Sequence, residues 1–365
     1  MRASFEEINL HTPTYSVDVG DRDIEDLTDE VRSRGEEVRE WIDEAQEIVA
    51  LPDPPAIEVG EQCTKPFLCG FCAHRHEGVE IEEDPFAMLP RLSGKKKATF
   101  KSEGIEQLCD VPPESLNEQQ ITVRTAHLSG KTLFDSGKAK ELLGDHRGST
   151  YFLDFETVMF AIPIWKGSRP FQNLPFQYSL HRVDSDGSLD HTEFLNLDGD
   201  DPREALARQM IKDCGTEGPI YAYNAGFERG VIKQLAELYP TLAGDLEALN
   251  GRIDDLLPIA RNCYYNPSQM GSWSLKAVAP AISGEISYDE LDGVQVGSDA
   301  GVAYLEACSP ETSDERREEL RNQMLKYCEV DTLATVRIWE LFKGISKDQS
   351  QHVENRVRPT GQLGF

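Results

Sequence analysis

Positive charge is what this chain has least of. It sets 37 lysines and arginines against 65 aspartates and glutamates, a formal net charge of −28 over 365 residues. A protein that grips duplex nucleic acid through its phosphates shows a basic face, so this balance argues against tight non-specific duplex binding. It says less about any one site, because a centre for divalent cations must itself be acidic. Long apolar runs are also missing. No stretch approaches the roughly 20 residues that cross a bilayer. Near the N-terminus Glu6 and Glu7 stand where a secretory signal would be basic. The expectation is a soluble, cytoplasmic chain with no membrane partner. Cysteine is scarce: eight in a chain of this length do not make a disulfide scaffold.

What is present suffices for two or three domains, at 39% hydrophobic and 28% charged residues. Ile24, Leu27, Val31, Val38, Trp41, Ile42, Ala45 and Ile48 recur at helical spacing. They predict one helix from Ile24 to Val49 with a charged outer face, stopped by the prolines after Leu51. Cys63, Cys69 and Cys72 follow, with intervals of five and two residues that suit one metal centre. His74, His76 and Cys109 are candidates for a fourth ligand to Zn²⁺, whereas an iron–sulfur cluster would ask for a fourth thiolate. Residues 1–90 thus read as a mainly helical N-terminal region with a cysteine metal motif, and residues 91–148 as a helical connector. Within the connector, Lys95, Lys96, Lys97 and Lys101 read as a solvated loop that could also touch phosphate.

From Thr150 the pattern changes. Tyr151–Glu156, Phe176–Val183 and Thr192–Leu197 read as strands, the last two joined by the turn residues of Asp184–Gly187. Pro202–Cys214 reads as a helix, Pro219–Asn224 as a buried strand, and Gly226–Leu238 as a helix. Ser274–Ile282 and Gly301–Cys308 also read as helices, and Arg316–Phe342 as a long one. This order predicts a mixed α/β domain over residues 149–345, with a mobile tail over 346–365.

Two residues apart on the first strand, Asp154 and Glu156 share a face. One helical turn apart, Tyr327 and Asp331 share another. Glu228 stands at the mouth of the buried strand with Asn224. Carboxylates that converge this way suit two hard divalent cations, Mg²⁺ or Mn²⁺, which can activate water and stabilise a leaving alkoxide in phosphodiester hydrolysis. Asp154 is placed to bridge both ions. Glu156 and Asp331 would each ligate one, and the Tyr327 hydroxyl would hold the attacking water. Cys214, Cys263, Cys308 and Cys328 read as buried structural thiols.

Residues 150–342 resemble a DEDDy-type 3′–5′ exonuclease domain of the ribonuclease H-like superfamily. Asp154 and Glu156 match its first motif, and Tyr327 with Asp331 its third. The second motif, Asn-x-x-Phe-Asp in form, stands here as Asn224, Phe227 and Glu228, with Glu in place of Asp. Pro163–Gln172, Pro175–His181 and Gly271–Lys276 are similar to a bacterial family catalogued as a domain of unknown function, in which such a domain follows a RecB-like, cysteine-containing nuclease region. Cys63, Cys69 and Cys72 resemble the closing cysteines of that region. The resemblance implies a ribonuclease H-like mixed sheet flanked by helices. It also implies a metal-dependent 3′–5′ exonuclease acting on single-stranded DNA or RNA, with partner nucleases or repair and defence proteins. Trp165, Arg169 and Gln177, together with Asn224 and Phe227, would contact the single-stranded end. The alternative is a binding module that keeps the fold and has weakened catalysis.

Overall fold

The computed structural model describes residues 28–53, 55, 63, 69, 84–146, 148–288, 291, 293–294, 297–345 and 354–355. The chain divides into two compact units, Met1–Glu82 and Glu83–Phe365.

In the first unit the periodicity gives two helices, α1 (Thr28–Ser33) and α2 (Gly35–Val49), where the pattern predicts one. Arg34, between them, leaves helical geometry at ψ 4°. Ile24 and Leu27 lie outside the described residues. The apolar stripe is real, but α2 buries none of its residues: Trp41 is 51% exposed and Ile48 53% exposed. Cys63 is buried and Cys69 half-buried, and the Cys69 amide donates to the Cys63 carbonyl at 2.9 Å. Cys72, His74 and His76 lie outside the described residues.

The second unit opens with α3 (Gly94–Ser102), α4 (Glu118–Ser129), β1 (Leu133–Phe134) and α5 (Ser136–Leu143). The lysine run read as a loop begins α3 instead. Ser93 caps that helix by accepting from the Lys96 amide, which satisfies a donor left free in the first turn. Lys96 donates to the Ser115 carbonyl and Lys97 pairs with Asp84. Phe86, Phe100, Val123 and Ala139 from residues 84–146 share one core with Phe152, Tyr221 and Trp339. This segment is therefore a packed part of the unit rather than a connector.

The main sheet contains β2 (Thr150–Val158), β3 (Leu174–Val183), β4 (Leu189–Leu195), β5 (Ile220–Ala222) and β6 (Ile253–Asp255), in the order β4-β3-β2-β5-β6. The first three are antiparallel, and β2, β5 and β6 are parallel. Helix α6 (Arg203–Asp213) leads into β5, and α7 (Gly226–Leu238) and α8 (Ala243–Asn250) connect β5 to β6. Then come α9 (Leu256–Cys263), β7 (Tyr264–Tyr265), α10 (Leu275–Ile282), α11 (Gly297–Ala307) and the 30-residue α12 (Asp314–Lys343). Finally β8 (Glu354–Asn355) pairs with β1 in a small sheet that also holds β7, within the stretch expected to be a tail.

Alternation along β2 decides which residues face what. Tyr151, Leu153 and Phe155 enter a core with Leu206, Met210, Val231 and Leu235 of α6 and α7. The intervening residues face the other side, where Phe152 meets Trp339 of α12 edge-on at 5.5 Å between ring centroids. With a period of two, Asp154 and Glu156 share the Phe152 face. Helix α12 lies across that side, held by a Gln177 Nε2 bond to the Met324 carbonyl at 2.8 Å. Gly344 ends α12 at φ +75°, the left-handed conformation that stops helices with little strain.

Candidate functional site

The acids come from β2, α7 and α12. Asp154 is partly buried, while Glu156 and Asp331 are each 7% exposed and Glu228 only 3%. Asp154 is pushed well above the usual carboxylate range, first by burial and then by the charges of Asp331, Glu156 and Glu228. One carboxylate therefore senses all three others. Glu156 is raised to about 8 by burial and by Asp331, with Lys276 opposing. Glu228 also rises to about 8, through burial and the nearby Asp255, against a bond from its own amide. Asp331 is raised by burial and held back by the Tyr288 and Tyr327 hydroxyls and by Lys276. Desolvation disfavours the charged form, and neighbouring like charges add to it.

Each acid has a local reason for its position. Asp154 pairs with Ser179 and Glu156 with Gln177 across β2 and β3, and the register shifts just after Glu156. Glu228 is carried in the first turn of α7. The turn before it begins at Asn224, which has φ +69° and donates its amide to Asp255 Oδ1 at 3.0 Å. The same Asp255 oxygen accepts from the Leu257 amide at 2.9 Å, so one carboxylate caps α9 and pins the end of β5. Asn tolerates the left-handed region better than most residues. Asp331 and Tyr327 lie one turn apart on α12, as their spacing predicts.

Three neighbours were given no place at the site by the sequence. The Tyr288 hydroxyl donates to Asp331 Oδ1 at 2.6 Å. The Lys276 ammonium lies 4.8 Å from the Tyr327 ring centroid and 5.1 Å from that of Tyr288. Cys328, read as a structural thiol, sits with its sulfur 3.5 Å from Asp154 Oδ2. Its position one residue after Tyr327 and three before Asp331 on a helix was the available signal. Tyr288 had none, because it lies in an irregular stretch after α10.

The proposed substrate contacts separate into two groups. Trp165 is 7% exposed, packed edge-on against Phe160 and Tyr304 and faced by the buried Arg203 guanidinium at 5.7 Å. Gln177 is fully buried and bonded to α12. Neither has an open face for a nucleotide; both support the sheet. Arg169 and Asn224 are exposed, and Phe227 is half-buried against the core under α7. Cys109 is exposed, with its thiol 3.6 Å from Gln107 Oε1 and from Asp110 Oδ1.

Among the described residues one group could hold a metal ion. Asp154, Glu156 and Cys328 each bring one ligand atom, all within 4.8 Å of one another. Glu228 Oε2 is buried without a hydrogen-bond partner.

Residues 151–274 match the family described as Domain of unknown function (DUF2779). That span is about a third of the chain. It contains Asp154, Glu156 and Glu228 but stops short of Lys276, Tyr288 and the whole of α12. No curated protein and no solved structure matches the chain.

Proposed function

We propose that the second unit is a ribonuclease H-like, DEDDy-type nuclease that removes nucleotides from the 3′ end of single-stranded DNA or RNA, using two Mg²⁺ or Mn²⁺ ions. The observation that supports this reading is that Asp154 and Glu156 of β2 bring ligand atoms within 4.8 Å of Cys328 on α12, less than one helical turn from Asp331, while Glu228 is buried in the first turn of α7. The sheet supports it as well. Three antiparallel strands followed by two parallel ones, with Asp154 and Glu156 on the central strand, is the ribonuclease H-like order.

The donor set fits the cations. Asp154, Glu156 and Asp331 offer the hard oxygens such ions prefer, and Glu228 has a buried oxygen to spare. The ions would supply Lewis acidity, lowering the pKa of a water and stabilising the departing alkoxide. The chain's own residues do the positioning. Tyr288 fixes one oxygen of Asp331 and so orients the other. Burial and the surrounding acids keep the Tyr327 hydroxyl protonated well above the ordinary tyrosine range, so it can donate to or orient an attacking water near neutral pH. Asn224 and Arg169, both exposed, are the side chains free to meet the substrate end.

The test is cleavage of 5′-labelled single-stranded DNA and RNA with Mn²⁺ or Mg²⁺ by the native chain and by Asp154→Ala. A ladder shortening from the 3′ end, reduced at least a hundredfold in the variant, is expected. No cleavage of either sugar by folded, cation-loaded native protein would overturn the reading and leave a non-catalytic binding module.

A further inference from the structure

We propose that Cys328 makes this site a receptor for a thiophilic divalent cation, Zn²⁺ above all, held by the Cys328 thiolate together with Asp154 and Glu156. Zn²⁺ then competes with the hard cations and silences the site. The inference rests on the nuclease reading for its consequence, not for its ligands.

The geometry is specific. Zinc lies about 2.3 Å from a thiolate sulfur and about 2.1 Å from a carboxylate oxygen in a tetrahedral site, so the two donors stand about 3.6 Å apart. Cys328 Sγ and Asp154 Oδ2 are 3.5 Å apart. Without a cation, the same distance accommodates a thiol proton shared toward the carboxylate. With one, that proton leaves to solvent and the ion takes its place between the two atoms. Glu156 supplies the third donor within the same 4.8 Å group. A second observation points the same way: on the helix that follows β5, the strand beside β2, the buried Glu228 Oε2 has no hydrogen-bond partner.

The sulfur decides which cation is favoured. Thiolate is a poor ligand for Mg²⁺ and a preferred one for Zn²⁺, which also outranks Mn²⁺ in intrinsic affinity. A serine or alanine at this position would leave a purely oxygen site. Cys328 is fully buried, and its sulfur meets Asp154 Oδ2 rather than solvent oxidants.

The experiment uses Co²⁺ as a spectroscopic probe in the full chain with Cys63, Cys69, Cys72 and Cys109 changed to Ser. A sulfur-to-cobalt charge-transfer band in the near ultraviolet is expected. Zn²⁺ should bleach it and a large excess of Mg²⁺ should not. Adding Cys328→Ser should abolish the band and weaken Zn²⁺ binding at least tenfold, while Mn²⁺ affinity changes less than threefold. Should Cys328→Ser fail to fold, Asp154→Asn in the same background must lower Zn²⁺ affinity at least tenfold. A band that persists in Cys328→Ser, no band in folded protein that binds Mn²⁺, or unchanged Zn²⁺ affinity in Asp154→Asn each overturns the proposal. The thiolate band without nuclease activity would sink the nuclease reading alone; activity without the band would sink only this inference.

Discussion

The cation-free protein should lose stability as pH rises from 7 to 8, and the acidic cluster should be the cause. Glu156 and Glu228 are each raised to about 8 from an ordinary value near 4.5. The folded state therefore holds protons that the unfolded chain has already released. A proton held only in the folded state removes about 1.4 kcal/mol of stability per pH unit as it becomes harder to keep. For a folded pKa near 8, the fraction still bound falls from about nine-tenths to one-half across this window. The loss is then about 1 kcal/mol per group, or about 2 kcal/mol for the two. Asp154 and Asp331, also raised, act in the same direction. His181 and two buried thiols stay quiet here. Burial and His191 lower His181 to about 4, so its contribution is complete above the unfolded value near 6.5 and is lost only below it. The thiols of Cys214 and Cys263, raised to about 12 and about 11 by burial, subtract stability only as the unfolded chain's thiols ionise, near pH 9. Urea unfolding in EDTA at pH 7.0, 7.5 and 8.0 reads the slope. Glu156→Gln should remove about 1 kcal/mol of the loss between pH 7 and 8 and raise stability at pH 8, and Mn²⁺ should flatten the slope in the native protein. An unchanged slope in the double variant Glu156→Gln/Glu228→Gln would refute the reasoning.

Tyr327→Phe should lower the rate constant of cleavage about 100-fold with little change in KM, since the hydroxyl is placed for the water rather than for substrate. Single-turnover kinetics on a labelled oligonucleotide would show this, and a rate within threefold of native would count against the role. Gln177→Leu should leave KM for that oligonucleotide unchanged and alter unfolding stability by about 1 kcal/mol, because it deletes one internal bond to Met324 in a closed space. A KM rising tenfold without loss of stability would return Gln177 to the substrate surface.

The parts of the site that repeat at a fixed period were legible; those that depend on long-range packing were not. Asp154 and Glu156 on a strand, and Tyr327 and Asp331 on a helix, follow from spacings of two and four that any strand or helix imposes. Helix α7 was readable to the residue because Gly226–Leu238 follows a turn and carries a clean apolar stripe. Strand β6, at three residues, was too short to alternate visibly, and its Asp255 became a capping residue and a brace for Asn224. Trp165 and Gln177 misled because a polar or aromatic side chain near a motif looks the same in sequence whether it faces substrate or Arg203 and Met324. The amphipathic stripe of residues 24–49 gave helical structure but neither the break at Arg34 nor the exposure of α2, since periodicity reports a face and not what covers it.

The cluster is a poor way to stabilise a fold, which is the physical reason to read it as a site. Four buried or partly buried acids come from β2, α7 and α12, and the chain tolerates them through protons, hydrogen bonds and one nearby cation. Protons remain on Glu156 and Glu228 past their ordinary range. Tyr288 donates to Asp331. Cys328 donates to Asp154. Lys276, drawn over the Tyr327 and Tyr288 rings, opposes the charges of Glu156 and Asp331. Even so, one oxygen of Glu228 is left with nothing. Apolar residues of similar volume would serve packing better, because buried charge rarely repays its desolvation. Solubility does not require these acids either, since the chain's large acidic excess is spread over exposed positions such as those of α2. The energetic cost is confined to one place, and the ligand that would relieve all of it together is a divalent cation.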